Sequence, residues 1–287
     1  MENESDLLNY VASELYSLEA LSSEEYLDFI KEYSGFSRTF LYQVVNNFHN
    51  NCKNCDRHEF RLSELDSFTE PKDSCPIIFL SSSPKYLDSL YGTSYVTLKD
   101  IVEISTISLS NISEYRSSKR SSNFQCIRPE NLYTGNSDSL AFWQQDTTIG
   151  PLYNEGQILN YCLDKSGLHK EDFVFEYLTR CPKYSSSGES SYISPKHIKV
   201  CLRWLILKCK ILSPKLIVTL GKESATVTQN TETPVMGKVI DNYTFSSPVL
   251  SIKTPGILLR NIDHPNIDSK VDDFIKELKL IGKYINA

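Results

Sequence analysis

The chain has 287 residues, 40% of them apolar, eight cysteines and a formal net charge of −6. This is enough to bury one substantial core with an accessory lobe. No apolar run reaches the roughly 18 residues of a membrane span. The acidic start Met1-Glu2-Asn3-Glu4-Ser5-Asp6 is the opposite of a secretory leader, so an intracellular, cytoplasmic protein is expected.

The first fifty residues read as a helical extension (1–50). Leu7, Leu8, Val11, Leu15 and Leu18 recur at helical spacing, a second helix is expected from Ser22 through Ile30, and Phe40, Val44, Val45 and Phe48 mark a third. The Cys52-Lys53-Asn54-Cys55 knuckle then opens an α/β unit over 51–287. Pro76-Ile77-Ile78-Phe79-Leu80 reads as a buried strand stopped at Ser81-Ser82-Ser83-Pro84. Residues 93–147, rich in Ser, Thr and Asn, read as an insertion after it. A helix is expected over 156–168, a strand at Phe173–Leu178, a helix from Pro195 to Leu212 and a strand at Lys215–Leu220 closed by Gly221. A helix follows Gly221, then a hairpin arm over 243–251, a fourth strand at 257–262, and a last amphipathic helix from Val271 to Tyr284. Strands alternating with helices predict a three-layer α/β/α fold around a mostly parallel four-stranded sheet. Its ligand would sit at the carboxyl ends of the strands, at 81–84, 178–182, 220–222 and 262–266.

In an intracellular chain, cysteines are metal ligands or small buried apolar groups rather than a disulfide framework. Cys52 and Cys55 form a CxxC pair, Cys181 follows a strand, and Cys201 lies in the next helix. Such a set can build a four-sulfur site for zinc or an iron–sulfur cluster, and residue types do not separate the two. Unrelated thiols are the plainer alternative. The acidic charge weighs mildly against nucleic acid as a partner. Two basic clusters offer a local face for phosphates: Arg116, Lys119, Arg120 and Arg128, then Arg180, Lys183, Lys196 and Lys199. Each reads equally well as solvated surface. Gly221, Lys222 and Ser224 open a helix at a strand end, a geometry suited to a DNA phosphate, or a plain turn.

The order of these motifs resembles the iron–sulfur, family 4-like branch of the uracil-DNA glycosylase superfamily. The CxxC precedes the first strand. Thr179-Arg180-Cys181-Pro182 matches the branch's Lys-Cys-Arg-Pro segment, and Cys201 its fourth ligand. Pro214-Lys215-Leu216-Ile217-Val218-Thr219-Leu220-Gly221 with Ala225 fits a further motif closely. Gly150-Pro151 through Leu159 fits a Gly-rich helix opening loosely, and His264-Pro265-Asn266 matches the late His-Pro loop. The resemblance covers about 52–283. It implies a 4Fe-4S cluster (zinc being the alternative) on Cys52, Cys55, Cys181 and Cys201. It implies a DNA partner, base flipping, and His264 stabilising the departing base.

The sequence departs from this pattern in the pocket. Ser81-Ser82-Ser83-Pro84-Lys85 stands for Gly-Glu-Ala-Pro-Gly, so Ser82 replaces the acid. Tyr177 stands at the uracil-reading Asn, and Leu152 or Tyr153 at the stacking Phe. The expected base pocket is thus Ser81, Ser82, Ser83, Tyr153, Tyr177 and Asn266, with Asp146 and Asp88 as candidate acids near the sugar. A site built on specific hydrogen bonds loses its substrate with them, which argues against plain uracil. Two readings follow: a glycosylase for a bulky modified pyrimidine, similar to anti-phage defence glycosylases in a bacterial or viral host cell, or an inactive DNA-binding or replication accessory protein of the same fold.

Overall fold

A computed structural model describes residues 4–60, 77–83, 159, 162–163, 165–168, 172–181, 193–242, 244–260 and 266–285. Candidate residues Asp88, Asp146, Tyr153 and His264 lie outside these, as does the expected insertion.

Three helices open the chain: α1 (Glu4–Ser17), α2 (Ser23–Glu32) and α3 (Arg38–Asn50). Ser22 caps α2 in a reciprocal capping box with Glu25, and Ser37 caps α3 through the Phe40 amide. Strand β1 (Ile77–Ser81) follows, then helical residues Leu159, Cys162, Leu163, Lys165 and Ser166, then β2 (Phe173–Tyr177). Helix α4 (Pro195–Leu212) starts at a Ser194–His197 capping box and ends at left-handed Ser213, ahead of Pro214. Beyond it come β3 (Leu216–Leu220), α5 (Lys222–Gln229), β4 (Val239–Ile240), β5 (Val249–Ile252), α6 (Gly256–Arg260) and α7 (Ile267–Ile285).

The sheet order is β2-β1-β3-β5-β4. The first four are parallel, while β4 pairs antiparallel with β5. Among the described residues the sheet therefore has five strands, and two expectations need correction. The fourth parallel strand is Val249–Ile252, inside the segment expected to be a hairpin arm. The run expected as that strand, 257–262, begins instead with helix α6. A short apolar run carries no period of its own. Here Thr254-Pro255 precedes it, a residue suited to a helix start, and the Ile257 and Leu258 amides turn back to the carbonyls of Thr254 and Pro255. The fourth strand's carboxyl end is therefore at Ile252–Thr254, and not at 262–266.

Both faces of the sheet are covered, as a fully buried parallel sheet requires. On one face Ile77, Phe79, Phe175, Val218 and Leu250 pack against Leu159, Cys162 and Leu163 and against Phe274, Leu278 and Ile281 of α7. On the other, Ile78, Leu80, Val174, Ile217 and Val249 pack against Trp204, Leu205 and Ile211 of α4 and against Leu15, Tyr42 and Val45 of α1 and α3. The N-terminal helices thus share a core with the sheet. Trp204, the largest fully buried side chain among the described residues, stacks on His49 of α3, with ring centroids 5.1 Å apart and planes 9° apart.

A strand-end crevice and a four-cysteine site

The chain leaving β1 returns on the α7 face, while the chain leaving β3 enters α5, whose Val227 packs on the opposite face. β1 and β3 are adjacent, so a topological switch point, the usual ligand crevice of such sheets, falls at their carboxyl ends. Leu80 pairs with Thr219 in the register. Ser81 and Ser82 on one side and Leu220 and Gly221 on the other continue the chain beyond that pair.

Of the expected pocket residues, Ser81 is buried and Ser82 and Ser83 are half-buried. The β1 and β2 chains stay zipped past the sheet: the Leu178 amide donates to Ser81 O at 2.9 Å and the Thr179 amide to Ser82 O at 3.0 Å. Tyr177 is 1% exposed and lies in the apolar cluster under α7, edge-on to Phe175. Asn266 is an exposed turn residue just before α7.

Gly221 caps α5 at φ +91°, in the left-handed range that favours glycine. A Cβ there would stand 3.4 Å from Thr254 Cβ. Lys222 is exposed, whereas Ser224 is fully buried and donates to Leu220 O at 2.8 Å and Gly221 O at 3.1 Å. Ser224 thus turns inward and closes the helix start, while Lys222 stays exposed. Of the second basic cluster, Lys196 and Lys199 are exposed but Arg180 is buried at 2%.

The four cysteines come from three places held together by polar ties. Asn54 Nδ2 donates to Leu18 O at 2.8 Å, which fixes the knuckle to the end of α1. Asp56, one residue past Cys55, is 2.8 Å from His197 Nε2 in the first turn of α4. His197 Nδ1 accepts from the Ser194 amide, so Nε2 carries the proton that Asp56 receives, and this bond lowers the Asp56 pKa. Cys201 follows one turn later in α4. Arg180, just before Cys181, donates from Nε to Asn50 Oδ1 at 2.9 Å, two residues before Cys52.

Cys181 and Cys201 are each 7% exposed, and Cys52 and Cys55 are half-buried. Burial pushes the Cys201 thiol up to about 12. The neighbouring Cys181, Cys55 and Cys52 add to the rise, and a hydrogen bond from the Arg180 backbone opposes it. Cys201 therefore lies within electrostatic reach of Cys181, Cys55 and Cys52. Among the described residues, no three His, Cys, Asp or Glu side chains are already drawn together tightly enough to cage an ion. Cys162 and Cys209 are buried elsewhere and act as small apolar groups. A cleft of about 450 Å³ opens beside Cys55, between Leu18, Lys53, Val200 and Arg203, away from the strand ends.

Sequence reasoning missed a buried polar network beside this site. Glu176 of β2 is 1% exposed, Lys208 of α4 0% and Arg180 2%. Lys208 Nζ donates to Glu176 Oε1 and to Asn46 Oδ1, each at 2.8 Å. Tyr42 OH donates to Glu176 Oε1 at 2.5 Å, and Arg180 Nη1 lies 3.6 Å from Glu176 Oε2. Burial acts to raise the Glu176 pKa, but the charges of Lys208 and Arg180 outweigh it and hold the carboxyl below its usual value. The signal was present: a glutamate inside Phe-Val-Phe-Glu-Tyr and a lysine on the apolar face of α4 each need a buried partner.

The acidic balance of the chain is also local. Residues 1–37 hold nine Asp and Glu against one Lys, so the 250 residues from Arg38 onward carry a formal +2. No described helix is long and apolar enough to cross a membrane. No curated protein matches the chain. The sequence model of the Uracil DNA glycosylase superfamily matches residues 70–279. With a parallel sheet and a strand-end crevice of this form, and a match over most of its length, the chain belongs to the uracil DNA glycosylase superfamily.

Proposed function

We propose that this protein is a DNA glycosylase that flips a modified pyrimidine, rather than plain uracil, into the crevice between β1 and β3 and releases it by hydrolysis of the N-glycosidic bond. The observation that carries the reading is Tyr177. The position expected to hold an amide that reads uracil holds instead a ring packed into the core at 1% exposure. Together with Ser82 in place of the acid, this removes the polar contacts that would select uracil. Small serines at 81–83 leave room for a larger base. Anti-phage defence in a bacterial or viral host cell, where bulky pyrimidines occur, fits such a pocket.

In this reading His264 donates to the charge developing on the departing base. Asp146 and Asp88 are the candidate acids toward the sugar, and Tyr153 and Asn266 complete the pocket. Lys222 and the α5 amides take a DNA phosphate. Cys52, Cys55, Cys181 and Cys201 hold a 4Fe-4S cluster, or zinc on the same ligands. The reach of Cys201 to the charges of Cys181, Cys55 and Cys52 supports that set. When bound, the metal centre would tie the knuckle, the β2 end and α4 into one unit and so add to folding stability.

The test uses matched duplexes carrying uracil or a pyrimidine with a bulky 5-substituent. Base release from the second and not the first is expected. Efficient uracil release would overturn the reading, and tight binding without release from either would point to an accessory protein.

A further inference from the structure

The turn between α2 and α3 carries three aromatic rings in mutual contact at the surface. Phe36 and Phe40 stack with centroids 4.5 Å apart and planes 21° apart. Tyr33 lies 5.6 Å from the first and 5.9 Å from the second. Phe36 is 47% exposed and Phe40 37%. Apolar side chains exposed singly are ordinary, whereas a contiguous set marks a contact surface.

The rings are held in place by the local backbone. Gly35 takes φ +86°, in the left-handed range, and the Phe36 amide turns back to Tyr33 O at 3.3 Å. The Ser37 side chain caps α3 by accepting from the Phe40 amide. Tyr33 packs 4.5 Å from Phe29, which is buried in the core shared with the sheet. A surface fixed in advance loses little entropy when a partner arrives.

Charge decides what that partner is. Burial, then the charge and a hydrogen bond of Glu32, push the Tyr33 phenol up, which places this carboxylate at the edge of the rings. The rest of α2 adds Glu24, Glu25 and Asp28 against Lys31, which pairs with Asp28. Arg38, just past the turn, donates from Nη1 to Ile211 O and Ser213 Oγ at the end of α4. Nucleic-acid bases stack on aromatic platforms, but beside cations that track the phosphates. An anionic lipid surface also needs cations. A two-fold contact with a second copy would set the same acids against each other. A protein segment with Lys or Arg beside a large apolar anchor suits both the rings and the acids.

We propose that Tyr33, Phe36 and Phe40, with the acids of α2, form a docking surface for a basic, apolar-anchored segment of a partner protein. This surface lies before the family match at residues 70–279, so it is separate from the glycosylase crevice and from the base that crevice takes.

The test is selection of a phage-displayed random peptide library on the full-length protein, followed by fluorescence anisotropy with the enriched peptides. Two variants accompany wild type: Phe36→Ser/Phe40→Ser, which removes the rings, and Asp28→Lys/Glu32→Lys, which reverses the charge and suits the end of a helix. Enriched peptides should carry Lys or Arg beside Leu, Phe or Trp. Each variant should bind them at least about tenfold more weakly, with a thermal melt close to wild type. Wild-type binding should weaken several-fold between about 0.05 and 0.3 M salt. If the ring variant fails to fold, the charge-reversal variant and the salt dependence still decide. An absence of enrichment, enriched peptides without basic residues, or equal binding by wild type and a folded variant would overturn the inference. So would oligo-dT or anionic-vesicle binding that depends on Phe36 and Phe40, or a dimer of the wild type that the ring variant dissolves.

Discussion

Replacing Lys208 with methionine keeps the length of the side chain and removes its charge and three donors. In the native protein Nζ serves Glu176 and Asn46 at 2.8 Å each, with no exposure to water. The variant leaves Asn46 Oδ1 without that donor and Glu176 with Tyr42 and the more distant Arg180. Breaking a buried pair on one side costs about 3–5 kcal/mol, and the surviving partners put this case near the lower figure, about 3 kcal/mol. Adding Glu176→Gln should recover part of that loss, a favourable coupling of about 1–2 kcal/mol in a double-mutant cycle.

The effect carries a pH signature. Burial lowers the Lys208 amine from 10.5 to about 8, against the opposing charge of Glu176. The folded pKa lies below the unfolded one, so between these values the unfolded chain binds more protons and stability from this group rises with pH. Its charging cost is fully present below about 8 and fades as pH climbs toward 10.5. Buried thiols act oppositely: Cys162 is pushed by burial to about 12, so ionisation of the unfolded chain erodes stability in alkali. The difference between wild type and Lys208→Met isolates the lysine. Urea unfolding at several pH values from 7 to 10 should show that difference growing by up to about 3 kcal/mol. A difference that stays flat or shrinks over this window would refute the linkage, and a loss under about 1 kcal/mol at pH 7 would refute the pair.

Lys222→Ala should weaken DNA binding several-fold at low salt and reduce the salt slope by about one, with base preference unchanged, as read by fluorescence anisotropy; an unchanged affinity removes the α5 start from the DNA contact. Gly221→Ala should cost about 1–3 kcal/mol, because φ +91° and the Thr254 contact both resist a Cβ, and a thermal melt identical to wild type would contradict this. Cys201→Ser should empty the proposed metal site while Cys162→Ala keeps it, since only the first thiol lies within reach of the charges of the other three; equal metal content in both would break the assignment.

The layered fold was legible because its strands and long helices carry strong periodicity and clear caps, as at Ser22 and Ser194. The fourth strand was misplaced because Ile257-Leu258-Leu259 and Val249-Leu250-Ser251-Ile252 are both short apolar runs. What separates them is the sheet partner: β5 finds the open edge of β3, and nothing local announces it. The metal role of Cys52, Cys55, Cys181 and Cys201 rests on their spacing and order in the sequence. The Glu176–Lys208–Arg180 network was not, because its members are up to 32 residues apart and meet only when α4 docks on β2. Ser224 looked like part of a phosphate site from its place at a helix start, whereas the side-chain torsion that turns it onto Leu220 O is a property of packing. His264, Asp146, Asp88 and Tyr153 lie outside the described residues.

The central claim is that the protein removes a modified base. It is tested most directly by incubating wild type and His264→Ala with DNA from phages carrying hypermodified pyrimidines, and with uracil-containing DNA. Free base and abasic sites are then measured by mass spectrometry. The account predicts free modified base and matching abasic sites with wild type, a rate lowered at least tenfold in His264→Ala with DNA affinity little changed, and no release of uracil. Uracil released efficiently, or DNA bound tightly with no abasic site on any substrate, would contradict it.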